Sequence, residues 1–403
     1  MSVLFWTIAV VLTYTYVGYP TLLFILRALG LRYERRRDQK YEPTVSMIVA
    51  AHNEENVIAN KLRNFFDLEY PPTKMECLIV SDGSIDRTDK IAKEFIENEV
   101  LAECGRVQLL RTERRLGKAN ALNVGVKAAK GDILIFSDAN VIYEKDVAWK
   151  LVSVFTDSSV GGVTGDVQLQ SRRQESFGAG ETLYYKYERF LQQLESDTGG
   201  VVGVDGAMYA IRRSAFRELP PDTLVDDLVL SMEIASKGQG IVYDPRIVGH
   251  EDSAPTTKVE FWRKTRIIEG GFNALRKRQG LPGLKTPILL WKLVSHKVLR
   301  WLLAVWLILL FVASGTLAIR TPISGLDGYV YAACFFGMIS VFGFAFVNYL
   351  VREKLSCFKL VQISYYFAVA SLAACVGLVR AILFKSKGTW ERTSRNSSEV
   401  DVD

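Results

Sequence analysis

Residues Ser2 to Leu26 carry no charged side chain for 25 positions. As a helix rising ~1.5 Å per residue, such a run exceeds the ~30 Å hydrocarbon core of a bilayer. Three more uncharged runs, Trp301–Ile319, Gly328–Val351 and Leu360–Val379, are also long enough to cross. The chain must therefore fold as a polar middle held between apolar ends. The whole-chain average of 49% hydrophobic residues hides that division. The 50 Lys+Arg and 44 Asp+Glu residues exclude a bundle made only of membrane helices, and an aromatic content of 11% excludes a disordered chain. A net charge of +6 is too mild to imply a nucleic-acid partner.

Charge near the apolar runs predicts orientation. No basic residue precedes the first run and no small-residue cleavage pattern follows it, so it reads as a retained anchor. Arg27, Arg32, Arg35, Arg36, Arg37 and Lys40 follow it, which puts the amino terminus outside and the next segment in the cytoplasm. Between Lys258 and Arg300 lie 11 Lys/Arg against only Glu260 and Glu269. Pro282 to Arg300 interleaves apolar residues with Lys285, Lys292 and Lys297, the pattern of an interfacial amphipathic helix on a bilayer with anionic lipids. Four crossings would leave the tail outside, whereas Arg380, Lys385, Lys387, Arg392 and Arg395 favour the cytoplasm. The sequence leaves that conflict open. Cys77, Cys104, Cys334, Cys357 and Cys375 have no metal-binding spacing and read as free thiols.

The division is an N-terminal transmembrane helix (1–30), a cytoplasmic α/β domain (41–257), interfacial helices (258–300), C-terminal transmembrane helices (301–384) and a polar tail (385–403). From Pro43, short apolar runs alternate with amphipathic stretches. Strands are expected over Thr44–Ala50, Glu76–Val80, Gln108–Leu110 and Asp132–Phe136, with helices over Glu55–Phe66, Asp86–Glu99 and Lys118–Ala129. This βαβ alternation predicts a Rossmann-like, mostly parallel sheet with helices on both faces, whose ligands bind at the carboxyl ends of the strands. Those ends carry Ala51-His52-Asn53-Glu54-Glu55, Ser81-Asp82-Gly83-Ser84 and Ser137-Asp138-Ala139-Asn140. Any one of them would pass for turn chemistry. Three strand ends bearing acids and amides point to a ligand.

AHNEE, VSDGSIDRT, GKANALN and SDAN, followed by GVDGAMYAIRR, LVDDLVLSMEIASKGQGIVYDP and EFWRKTRIIEGG, resemble the family-2 glycosyltransferases of GT-A fold. Within that family the resemblance is to the membrane-embedded synthases of cellulose, hyaluronan, chitin oligosaccharide and poly-N-acetylglucosamine. It implies an inverting enzyme that moves a sugar from a UDP-sugar to a glycan hydroxyl, in synthesis and export of a cell-surface polysaccharide. A bacterial inner membrane is the implied location, with accessory export subunits left unspecified.

The same resemblance assigns roles. Asp82 would hydrogen-bond the uracil edge, with Asn53 and Glu54 bordering that pocket. Lys118 and Arg266 would face the diphosphate. Asp138 stands at the first acid of a DXD motif and Asn140 at the second, there to hold Mg²⁺ or Mn²⁺. His250 is an additional candidate ligand, set against an ordinary hydrogen-bonded histidine. Asp227 matches the general base, with Asp226 fixing its geometry. Asp205 and Gly206 would form the acceptor wall, and Asp166 is a secondary acid. Two departures stand out: Asn140 replaces an acid, and Arg263-Lys264-Thr265-Arg266-Ile267 replaces the usual QxxRW, so that Arg263 takes the Gln position and Ile267 the Trp position. Trp262 is the nearest substitute aromatic. Thr182–Glu195 reads as a Tyr-rich amphipathic helix, and 387–395 as a segment able to fold over the donor. Transfer to a polyprenyl phosphate is the alternative enzyme reading, and an inactive nucleotide-sugar-binding scaffold the alternative from another class.

Overall fold

The computed structural model describes residues 1–31, 36–38, 40–99, 106–170, 178–252, 256–281, 287–322, 325–351 and 358–384. Arg32, Arg35, Cys104, Pro282, Lys285, Cys357 and the 387–395 tail lie outside the described residues.

Among the described residues, eight strands form one sheet: β1 (Val45–Ala51), β2 (Met75–Ser81), β3 (Val107–Arg111), β4 (Ile133–Asp138), β5 (Ile142–Tyr143), β6 (Val160–Gln170), β7 (Met208–Arg212) and β8 (Gly240–Asp252). Their order is β3-β2-β1-β4-β7-β6-β8-β5. Strands β3, β2, β1 and β4 are mutually parallel, as expected. Beyond β4 the sheet is mixed: β7 runs antiparallel to both β4 and β6, β6 is parallel to β8, and β5 is antiparallel to β8. Successive residues of the central strands point to opposite faces. Met47, Cys77 and Ile135 pack into one core with Ile58, Leu62 and Phe65 of the Ile58–Phe66 helix. Ile48, Leu78 and Phe136 enter the other core with Ala121 and Leu122 of the Lys118–Ala128 helix. Both faces are covered, which is why these strands are mostly apolar.

Among the described residues, four helices are long and apolar enough to cross a membrane: Ser2–Ala28, Leu303–Arg320, Leu326–Leu350 and Lys359–Leu383. The first carries a π-helical turn at Tyr14–Gly18. Phe5 and Ile8 cluster with Leu310 and Ala313 of the second.

The stretch before the second of these helices is tied to the Gly178–Asp197 helix by its cations. Pro287–Lys292, Leu293–Val298 and Leu299–Trp301 are successive helical segments, but their cations turn into the protein. Lys292 is fully buried and donates to the carbonyls of Glu195, Thr198 and Gly200 at 2.9, 3.1 and 3.1 Å. Lys297 and Arg300 reach Glu188 at 3.0 and 2.7 Å. His296 lies between Glu195 (Nδ1, 2.8 Å) and Glu188 (Nε2, 2.9 Å). Burial alone would raise the Glu188 pKa, but Lys297, Arg300 and His296 outweigh it and hold the carboxyl well below the usual range. Both acids come from the Gly178–Asp197 helix, the expected Tyr-rich amphipathic element. The same helix holds the first membrane helix, because Tyr19 donates to Glu195 and Arg27 pairs with Asp197 at 3.2 Å.

Candidate active site

Gly117, at φ +99°, turns the chain into the Lys118–Ala128 helix, so Lys118 begins that helix beside the end of β4. Its ammonium donates to Asp138 Oδ1 at 2.7 Å and to the Gly206 carbonyl at 3.3 Å, and lies 3.9 Å from Asp226 Oδ2. Burial pulls the Lys118 pKa down, but Asp138, Asp226 and Asp227 more than reverse that and raise it. Lys118 therefore stays a cation in the middle of three acids.

Asp226 and Asp227 open the Asp226–Ser236 helix. Asp226 is buried and accepts from the Tyr209 hydroxyl at 3.3 Å. Asp227 Oδ1 accepts from the Leu228 amide at 2.8 Å. A helix N-terminus favours a carboxylate. Burial, followed by the adjacent Asp226 charge, outweighs that here and pushes the Asp227 pKa up to about 6. Gly206 faces this carboxylate, and a Cβ on Gly206 would lie 3.1 Å from Asp227 Oδ2. Gly206→Ala should consequently displace the carboxylate by a few tenths of an ångström. An expected loss of about tenfold in turnover with ligand affinity unchanged, read by a rate assay and a binding titration, checks this.

These groups line a cavity of ≈ 230 Å³ together with Glu54, Asn140, Asp205, Arg263, Arg266 and Ile267. Arg266 comes from the Thr257–Arg276 helix, and its Nε is buried with no hydrogen-bond partner among the described residues. Burial lowers its pKa. An unpaired guanidinium edge beside a cavity suits a diphosphate. Arg263 is instead engaged, donating to Glu260 at 2.7 Å and to the Tyr185 hydroxyl at 2.6 Å. Arg189 holds both Asp205 (2.8 Å) and Asp166 (2.9 Å).

Other expected residues are not brought to the cavity. Asp82 is fully buried, and its carboxylate accepts from the Leu116 and Gly117 amides at 2.8 and 2.7 Å, holding the loop before Lys118. Asn53 adopts φ +56° and accepts from the Ile85 amide at 2.9 Å, tying the β1 and β2 loops together. Trp262 is 45% exposed, with the Arg380 guanidinium 5.8 Å from its ring centre. His250 pairs with Ile142 on β5 and does not line the cavity. Glu251 and Asp252, next along β8, do line it. Sequence reading passed over Glu251 for its neighbour His250.

Asp138 and Asn140 fit a hard cation. The Asp138 side chain is 36% exposed, and the Asn140 amide oxygen is buried without a hydrogen-bond partner among the described residues, while its Nδ2 donates to Glu251 at 2.8 Å. One carboxylate and one amide oxygen, completed by phosphate oxygens and water, suit Mg²⁺ or Mn²⁺. Among the described residues, no group of three or more His, Cys, Asp or Glu side chains gathers into a self-sufficient metal site.

The family model described as Glycosyl transferase family 2 matches residues 46–220. A beta-monoglucosyldiacylglycerol synthase of Trichormus variabilis is 29% identical over 269 residues, covering 64% of this chain and 56% of that protein. A poly-beta-1,6-N-acetyl-D-glucosamine synthase of Staphylococcus epidermidis is 26% identical over 248 residues, covering 60% and 58%. The chain thus spans little more than half the length of these curated relatives. A solved mannosyltransferase, PcManGT from Pyrobaculum calidifontis in complex with GDP-Man and Mn²⁺, shares the fold at a TM-score of 0.67 and 22% identity, over 94% of this chain and 98% of that one. The family match, carried on this mixed sheet, identifies residues 46–220 as a Glycosyl transferase family 2 domain of GT-A-like fold.

Proposed function

We propose that the chain transfers a sugar, with inversion, from a UDP-sugar to a hydroxyl acceptor at a membrane surface. The observation that carries this is the Asp227 carboxylate, buried at the cavity with its pKa raised to about 6, next to the Lys118–Asp138 pair. In this reading Asp227 accepts the acceptor hydroxyl proton as that oxygen attacks the anomeric carbon. The bond from that carbon to the diphosphate breaks, and its electron pair leaves on UDP. Lys118 and Arg266 hold the departing diphosphate, and Asp226 keeps Asp227 in place. Asp138 and Asn140 would hold the cation, which supplies charge neutralisation at the diphosphate.

A base is needed for a hydroxyl and superfluous for a polyprenyl phosphate, which is already ionised, so Asp227 favours hydroxyl acceptors over that alternative. One relative is named for a glycolipid and another for a polysaccharide, and both kinds of acceptor carry hydroxyls. The apolar helices support a membrane location and the bacterial relatives a bacterial inner membrane, with the catalytic domain on the cytoplasmic side by the charge rule.

A panel of UDP- and GDP-sugars, scored for nucleotide release and product size, tests the transfer. Release from a UDP-sugar that depends on Asp227 is expected; no release from any donor would sink the reading. Excess chelator should lower the rate about tenfold or more, with recovery on adding Mg²⁺ or Mn²⁺. Full activity in chelator would remove the cation from the scheme.

A further inference from the structure

A second cavity, of ≈ 580 Å³, opens from the first. The two share Gly206, Asp227 and Ile267, so any molecule filling the second places its end at the same carboxylate. Away from Asp227 the walls come from helices long and apolar enough to lie in a bilayer. Leu303 begins one of them, and Ile363, Phe367 and Ala370 belong to the Lys359–Leu383 helix. Leu183, from the Gly178–Asp197 helix, lies opposite. Its wall on the Lys359–Leu383 helix is largely apolar, and its charged residues are Asp205, Asp227, Arg189, the Arg263–Lys264 pair and the Glu188 cluster.

We propose that this cavity binds the acceptor, and that the acceptor is an uncharged membrane lipid alcohol. This rests on the transfer reading above and names its substrate class. The hydroxyl head sits at Asp227, and the hydrocarbon chain lies along Phe367 and Ala370 toward the bilayer. Ile267 stands where related synthases are expected to carry a sugar-stacking Trp, and an aliphatic wall suits a chain better than a sugar ring. Charge argues for a neutral head. Every cation lining the cavity already has a carboxylate partner: Lys297 and Arg300 have Glu188, Arg263 and Lys264 have Glu260, and Arg189 has Asp205. A lipid phosphate would have to compete with those pairs, whereas a hydroxyl would not.

The test uses the full chain in phosphatidylcholine vesicles with a radiolabelled UDP-sugar panel. The arms are vesicles alone, vesicles with dioleoylglycerol, vesicles with polyprenyl phosphate, and vesicles with a water-soluble oligosaccharide. Label extracted into chloroform only with dioleoylglycerol is the expected result. Label that requires polyprenyl phosphate, or that enters only water-soluble product, overturns the lipid-alcohol acceptor while leaving glycosyl transfer standing. Failure to turn over any donor sinks both readings together. Ala370→Trp, which fills the apolar part, should cut lipid labelling about tenfold or more. Retained UDP binding reports that the variant is folded. Wild-type lipid labelling in that variant would overturn the assignment of this cavity.

Discussion

Asp227→Asn should lower turnover by about 10²- to 10⁴-fold while leaving UDP affinity within a factor of two, the loss expected when a positioned general base is removed. The amide is isosteric and can keep the Leu228 hydrogen bond through its oxygen, so the loss reports on proton transfer and not on the helix start. UDP release under saturating donor and a UDP titration measure the two quantities. The pH profile gives an independent reading. Asp227 acts only when ionised, so kcat/KM for the acceptor should be level above a pH of about 6 and fall roughly tenfold per unit below it. The stability signature has the opposite sign. A carboxyl whose pKa is raised on folding, here from 3.8 to about 6, binds its proton more tightly in the folded state. Folding stability therefore declines as pH rises through that window, and the Asn variant should lack this decline. Transfer at wild-type rates by the variant would remove Asp227 from the base role.

Glu188→Ala should be the most damaging single change to stability, at about 3–5 kcal/mol, because it leaves buried cations without their counter-charge. Glu188 Oε1 meets both His296 and Lys297, and Oε2 meets Arg300 at 2.7 Å. All four side chains are largely or fully removed from solvent, so water offers little relief. Lys297→Met alone should cost less, since Arg300 and His296 would still serve the carboxylate. Thermal unfolding in detergent, followed by loss of monodisperse protein, compares the two. Equal and small shifts would mean that this cluster is solvated and weak. The low Glu188 pKa adds a pH signature. Its stabilisation is full above the ordinary carboxylate range and is lost only as pH falls below that range toward the depressed value.

How far the sequence carried depends on which physical signal each element left in it. Strands β1, β2 and β4 were legible because both faces are buried and the runs are mostly apolar. Strand β6 reads VGGVTGDVQLQ, and β8 carries Asp244, Glu251 and Asp252. Neither run is uniformly apolar, so both were missed, and with them the antiparallel pairings of β7 and β5. Lys118, Asp138, Asp226 and Asp227 were legible because each sits at a strand end or helix start in a recognisable motif. Asp82 was legible as a special residue, though in this structure its carboxylate holds the Leu116 and Gly117 amides. The inward turn of Lys292, Lys297 and Arg300 left no local trace. Their partners lie 92 to 112 residues away along the chain, and a count of charges cannot reveal partners that far off.

The seam around Glu195 also sets an order of assembly during synthesis. Tyr19 waits for Glu195, 176 residues later, and Tyr14 waits for Ser295, 281 residues later. At ~5–20 residues per second, the ribosome needs on the order of ten seconds to a minute to deliver those partners. Through that interval the first membrane helix must persist without the contacts that later hold it. Its own apolar run, free of any charge from Ser2 to Leu26, lets it dwell in the bilayer until the rest of the chain arrives.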